Sequence, residues 1–120
     1  MSCLELHAPA PNILIVEDDG LLRMAVADFL RDMGHVVVEA TTGDEAVSIL
    51  QTGTRVDVVF SDVQMPGTVD GLGLARWVRT HRPRVPVLLT SGVFASAEDG
   101  AIPKPYDIVD IEASIRRLLA

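Results

Sequence analysis

The sequence predicts an α/β fold, a five-stranded parallel sheet with helices on both faces. Three observations predict it. Five short apolar runs alternate with segments of helical periodicity. The runs are nearly continuous in Val, Ile and Leu, as strands covered on both faces require. Each run closes on polar or turn-forming residues, and strand–helix alternation implies right-handed crossovers. Such crossovers deliver every strand's carboxyl end to one edge, where open α/β sheets place their ligand sites.

The chain has 120 residues, enough for one core and too few for two domains. Hydrophobic residues make up 48% and charged residues 22%, a globular composition rather than a disordered one. The formal charge of −7 argues against direct nucleic-acid binding, which needs a cationic surface. No apolar run reaches the length of a membrane span, and no signal-peptide pattern opens the chain. The single cysteine, Cys3, cannot form an internal disulfide. The expectation is a cytoplasmic protein with no membrane contact.

Met1–Pro11 reads as an N-terminal tail, which leaves 12–120 as one domain. Asn12–Val16 is a β-branched apolar run too short for a helix, and it ends in Glu17, Asp18 and Asp19. Gly20 to Met33 reads as a helix with Leu22, Val26, Phe29, Leu30 and Met33 on its buried face, stopped by Gly34. Asp19 suits its N-cap. His35–Ala40 is the second strand. Thr42 with Glu45 forms a capping-box pattern that opens a helix running to about Gln51.

Val56–Ser61 is the third strand and runs into Asp62. A loop with Pro66, Gly67, Asp70 and Gly71 follows, then a helix over about Leu72–Thr80 with Leu74, Trp77 and Val78 inward. Val85–Thr90 is the fourth strand. Val93–Gly100 has room for one helical turn at most. Ala101–Lys104 is a brief fifth strand, and Pro103 places it at an edge. Asp107–Ala120 is the last helix, with Ile108, Ile111, Ile115, Leu118 and Leu119 apolar.

This topology collects Glu17, Asp18, Asp19, Asp62, Thr90, Ser91 and Lys104 at one edge. Crowded carboxylates raise each other's pKa unless a cation intervenes. A hard divalent cation such as Mg²⁺ takes carboxylates together with water and phosphate oxygens. A carboxylate can also attack phosphorus, with metal and lysine neutralising the transferring group. Asp62 is then the nucleophile, Asp18 with Glu17 beside it the metal site, and Lys104 and Thr90 the phosphoryl-oxygen ligands. Each residue alone has a plainer reading: a turn-forming Asp, a surface Lys, a strand-end Thr. Convergence on one edge favours the chemical reading. The three histidines, His7, His35 and His81, have no Cys or His partner that would indicate zinc.

Ile13–Asp19, Ser61–Gly67 with Asp70-Gly71-Leu72, Leu88–Gly92 and Lys104-Pro105-Tyr106 together resemble a two-component response-regulator receiver domain from about residue 12 to the chain end. The resemblance implies a flavodoxin-like, doubly wound sheet in order 2-1-3-4-5. It implies phosphorylation of Asp62 by a histidine kinase or histidine phosphotransfer protein, and catalytic roles for Asp62, Thr90 and Lys104. It implies Mg²⁺ held by Glu17, Asp18, Asp62 and the Gln64 carbonyl, and a cis Lys104–Pro105 bond. Gln64 and Gly92 occupy positions that look like rate-setters for loss of the phosphoryl group. A kinase-docking surface would comprise Leu21, Leu22, Ala25, Pro105 and Tyr106.

The sequence departs from the family in one region. Thr90 and Lys104 are 14 positions apart, too few for the full helix the family places there, so that fourth helix is missing or reduced to a turn. The family's switch aromatic is Ala101. Taken as a whole protein, the chain would be a stand-alone receiver that is not an enzyme in its own right and signals to an unknown downstream protein. A non-switching interaction module is the alternative. A small Mg²⁺-dependent phosphatase with Asp18 as nucleophile is disfavoured, because Gly20 stands where such enzymes need a second acid.

Overall fold

The computed structural model describes residues 11–92 and 101–120. The Met1–Pro11 tail, but for its last residue, and the single turn expected in Val93–Gly100 lie outside the described residues. So does the reduction of the fourth helix.

Five strands and, among the described residues, four helices follow in order. They are β1 (Asn12–Val16), α1 (Gly20–Asp32), β2 (Val36–Ala40), α2 (Gly43–Gln51), β3 (Val58–Asp62), α3 (Gly71–His81), β4 (Val87–Ser91), β5 (Ile102–Pro103) and α4 (Ile108–Leu119). The sheet order is β2-β1-β3-β4-β5 and every pairing is parallel. This is the flavodoxin-like, doubly wound arrangement.

The twofold alternation of a strand sorts its side chains into two cores. Ile13 and Ile15 of β1, with Val58 and Phe60 of β3, pack against Val26 and Leu30 of α1 and Ile111 and Ile115 of α4. Leu14, Val16 and Val59 point the other way, onto Ala46 and Leu50 of α2 and Leu74 and Val78 of α3. Because β1 and β3 are covered on both faces, their carboxyl ends are rigid mounts.

The helix starts are chemically marked. Asp19 caps α1 by accepting from the Leu21 and Leu22 amides at 3.1 and 3.2 Å. Asp70 caps α3 through the Gly73 amide at 2.8 Å, and Asp107 caps α4 through the Val109 amide at 2.9 Å. Thr42 accepts from the Glu45 amide at 3.1 Å, but Glu45 reaches back to the Thr41 amide, one residue short of a full capping box.

Several expectations need correction. Met33, assigned to the buried face of α1, is 51% exposed: it is the C-cap, where the helical period ends. Leu118 is also exposed. The fourth strand begins at Val87 rather than Val85, because Pro86 has no N–H for the ladder. The fifth strand is only Ile102–Pro103. Trp77 does pack against the second core, half-buried as the inward reading expects, and its ring also stacks on His81 with centroids 4.3 Å apart. His35 Nε2 lies 2.8 Å from Glu112 Oε2, so this histidine ties the turn before β2 to the last helix.

Candidate phosphoacceptor site

The sheet brings three strand ends together. β1 supplies Glu17 and Asp18, β3 supplies Asp62 as its last residue, and β4 supplies Thr90, the register partner of Asp62. Lys104 follows β5, and its amide donates to the Ser91 carbonyl at 2.9 Å, which fixes where its side chain starts.

The Lys104 ammonium bridges two acids, at 2.8 Å from Glu17 Oε1 and 3.0 Å from Asp62 Oδ2. Glu17 Oε2 accepts from the Asp19 amide at 3.1 Å. Both Glu17 oxygens are therefore occupied by protein donors. The Glu17 and Asp62 side chains are nearly buried, while Asp18 is exposed. Carboxylate oxygens of Glu17, Asp18 and Asp62 lie within 4.8 Å of one another.

Asp62 is divided in function. Oδ2 is held by Lys104. Oδ1 is buried and has no hydrogen-bond partner among the described residues. A buried carboxylate oxygen without a donor is costly unless something electropositive meets it. An all-oxygen donor set around such an atom fits a hard cation of the Mg²⁺ type. The orphan oxygen and the clustered acids are the two observations that test the fit, and both agree with it.

The electrostatics follow from burial and contact. Burial raises the Glu17 pKa, against the pull of the Lys104 and Asp19 hydrogen bonds, and the neighbouring Asp62 charge adds to the rise. Partial burial alone would lower the Lys104 pKa, but hydrogen bonds to Glu17 and Asp62 reverse this and hold its proton firmly. Tyr106 is pushed up to about 12, first by burial and then by the Glu17 charge.

The remaining site residues divide. Thr90 is buried beside Asp62, and its carbonyl accepts from the Val63 amide at 2.8 Å. The Gln64 side chain is exposed, and its Oε1 accepts from Ser91 Oγ at 3.2 Å. The Lys104–Pro105 bond is cis. Leu22, Gly92, Lys104, Pro105 and Tyr106 line a groove of about 340 Å³ beside the acids. Leu21 is 84% exposed on α1, and Ala25 is exposed one turn on. Neither lines the groove.

Two contributors were missed in the sequence. Gly71 sits against the Asp62–Val63 backbone so closely that its hydrogen is all that fits, and its amide donates to the Val63 carbonyl at 2.8 Å. The Phe60 and Tyr106 rings meet edge to face at 5.8 Å, anchoring the segment after Lys104 to the strand that carries Asp62. The Asp70-Gly71 pair before α3 read as loop, and nothing in it signalled this close approach.

Comparison with known proteins agrees with this geometry. The profile of the response regulator receiver domain matches residues 13–116. The chain is 33% identical over 118 residues to the sensor kinase CckA of Brucella abortus, covering 90% of this chain and 12% of that protein. It is 30% identical to the transcriptional regulator NtrC of Klebsiella pneumoniae, covering 88% of this chain and 24% of that protein. The chain thus spans only a small part of these relatives. Among solved structures, the receiver domain of the hybrid histidine kinase CckA superposes with a TM-score of 0.78 at 36% identity, over 91% of this chain and 99% of that one. A CheY-like receiver from Methanospirillum hungatei gives 0.82 at 25% identity, over 92% and 94%. The chain belongs to the response regulator receiver domain family of two-component signalling.

Proposed function

We propose that Asp62 accepts a phosphoryl group from a histidine kinase or a histidine phosphotransfer protein in the cytoplasm. The observation that carries this reading is the divided Asp62 carboxylate, with one oxygen held by Lys104 and the other buried without a donor. In the transfer, an Asp62 oxygen forms a bond to phosphorus as the donor's P–N bond breaks. The electron pair leaves with the imidazole nitrogen. Lys104, already protonated and poised between Glu17 and Asp62, compensates the anionic charge of the incoming group. The buried Thr90 beside Asp62 supplies a hydroxyl to the phosphoryl oxygens.

Glu17, Asp18, Asp62 and the Gln64 carbonyl would hold Mg²⁺, which supplies charge neutralisation at the transferring group. The same machinery assists loss of the phosphoryl group to water, with Gln64 and Gly92 beside the site as rate-setters. Leu21, Leu22, Ala25, Pro105 and Tyr106 form the docking face for the donor. Its concave part is the groove already described. Output passes by binding to a downstream protein.

Incubation with Mg²⁺ and a small acyl phosphate, read by intact mass, tests this. The expected result is one added phosphoryl group, absent from Asp62→Asn and without Mg²⁺. A beryllofluoride complex followed by NMR guards against rapid hydrolysis. If neither reagent modifies or perturbs the protein, the non-switching interaction module replaces this reading. Ala101, at the family's switch aromatic, is the observation that favours that second reading.

A further inference from the structure

Asp44 stands in the first turn of α2 but takes no part in its cap. Thr42 accepts from the Glu45 amide, and Glu45 reaches back to the Thr41 amide. Both Asp44 oxygens turn instead to the loop between β3 and α3. Oδ1 accepts from the Thr68 hydroxyl at 2.7 Å and Oδ2 from the Thr68 amide at 3.2 Å. A carboxylate that takes two donors of one residue fixes that residue's orientation as well as its place.

Two glycines make room for this clasp. A Cβ at Gly67, whose φ is +103°, would lie 2.8 Å from Asp44 Oδ2. A Cβ at Gly43 would lie 2.9 Å from the Val69 carbonyl carbon. The start of α2 is thus pressed against the chain on both sides of Thr68. A glycine has wide backbone freedom, so Gly67 needs its neighbours to hold it in one conformation.

The other end of the loop is fixed by the sheet. The Val63 amide donates to the Thr90 carbonyl at 2.8 Å, and the Val63 carbonyl accepts from the Gly71 amide at 2.8 Å. Gln64 is the next residue, and Met65 after it leans on the second core. The Gln64 backbone therefore lies on a short span tied at Val63 and again at Thr68.

We propose that Asp44 is a positioning residue for metal binding: by clasping Thr68 it holds the loop in the shape that presents the Gln64 carbonyl. The inference rests on the reading that this carbonyl helps to hold Mg²⁺. Asp44 is not one of the three clustered acids, so it acts through the loop. Without the clasp, the loop must be ordered when the cation binds, and that entropic cost subtracts from the affinity.

The test is a Mg²⁺ titration of the full, isotope-labelled chain, followed through the Asp62, Val63 and Gln64 amides. Asp44→Ala removes both acceptors, and Thr68→Val removes the hydroxyl while keeping the side chain's shape. Each should raise the Mg²⁺ Kd, Asp44→Ala by about tenfold, the low end for groups that orient metal ligands. Asp44→Asn can still accept from the Thr68 amide and donate to its hydroxyl, and Thr68→Ser keeps both donors. These two should bind Mg²⁺ nearly as the parent does. Urea unfolding of all four variants separates affinity from stability. An Asp44→Ala Kd equal to the parent's, even at lowered stability, would overturn the proposal and leave the metal site standing. An Asp44→Asn Kd as weak as that of Asp44→Ala would also overturn it, because the carboxylate would then act by its charge. A parent that binds no Mg²⁺ would overturn the metal reading itself, and this proposal with it.

Discussion

Replacing Gly71 with alanine should damage the fold and the proposed phosphoacceptor site together. A Cβ at Gly71 would lie 2.7 Å from the Val63 Cα and 2.8 Å from the Asp62 carbonyl carbon, and closer still to the Asp62 carbonyl oxygen. All three are backbone atoms of a buried strand end, so no rotamer change relieves the overlap. Overpacking costs about 1–3 kcal/mol where side chains can adjust, so a rigid contact belongs near about 3 kcal/mol. Gly73→Ala, two residues along the same helix, is the control. Its Cβ would meet first the Asp70 carboxylate at 3.2 Å and then Val69 Cγ1 at 3.6 Å, both side-chain atoms. The helix-propensity gain of about 1 kcal/mol offsets that contact, so Gly73→Ala should stay within about 1 kcal/mol of the parent. Urea unfolding measures both, and Gly71→Ala should also lower Tm by roughly 12 °C. Phosphorylation by a small acyl phosphate should slow in Gly71→Ala, because the displaced backbone carries Asp62. Equal stability of the two variants would refute the argument that this helix start packs directly on the strand end.

Other outcomes are equally definite. Mg²⁺ at 100 times its Kd should stabilise the protein by about 2.7 kcal/mol, an effect lost in Asp18→Asn; no thermal shift would count against the metal site. The chain has one tyrosine, so ultraviolet absorbance titrates Tyr106 directly. The native midpoint should be about 12, and a midpoint near 10 would contradict its burial. Between those values the folded state keeps a proton that the unfolded chain sheds, so stability falls as pH rises through that window. Lys104, whose pKa is also raised, acts in the same direction: its contribution is full at neutral pH and lost only in strong alkali. Glu112 is the opposite case. Burial would raise its pKa, but the His35 and Arg116 hydrogen bonds more than cancel this and leave it lowered. Its contribution is present above about pH 4.5 and lost as pH falls through the native value. Glu112→Ala should cost about 3 kcal/mol at neutral pH in urea unfolding and flatten the acid limb; an unchanged limb would refute the role given to the His35 contact.

The sheet and its order were legible because β1 and β3 are short, unbroken apolar runs, and a strand covered on both faces has no other composition open to it. The clustering of the candidate site's acids was legible because they stand at the ends of those runs. What escaped the sequence was set by partners far along the chain. His35 read as the opening of a strand, yet it stands just before β2 with its side chain committed to Glu112, 77 residues away. Met33 fitted the helical period but sits where that period stops. Gly71 looked like a loop glycine, and only the packing of α3 on β3 shows why no larger residue fits. The bounds of β4 and β5 were misjudged because neither Pro86 nor Pro103 has an amide to extend a ladder.

Consider finally the smallness of β5. Two residues hold it to the sheet, yet the side chain that follows them is clasped by two acids, one 87 and one 42 positions distant. Charge as well as strand pairing fastens this edge. A phosphoryl group on Asp62 would compete for the same ammonium, so modification at the centre of the sheet would alter the tether of its margin. The sheet edge would thereby register the site's electrical state, and loss of the Lys104 ammonium would remove the protein cation that bridges Glu17 and Asp62.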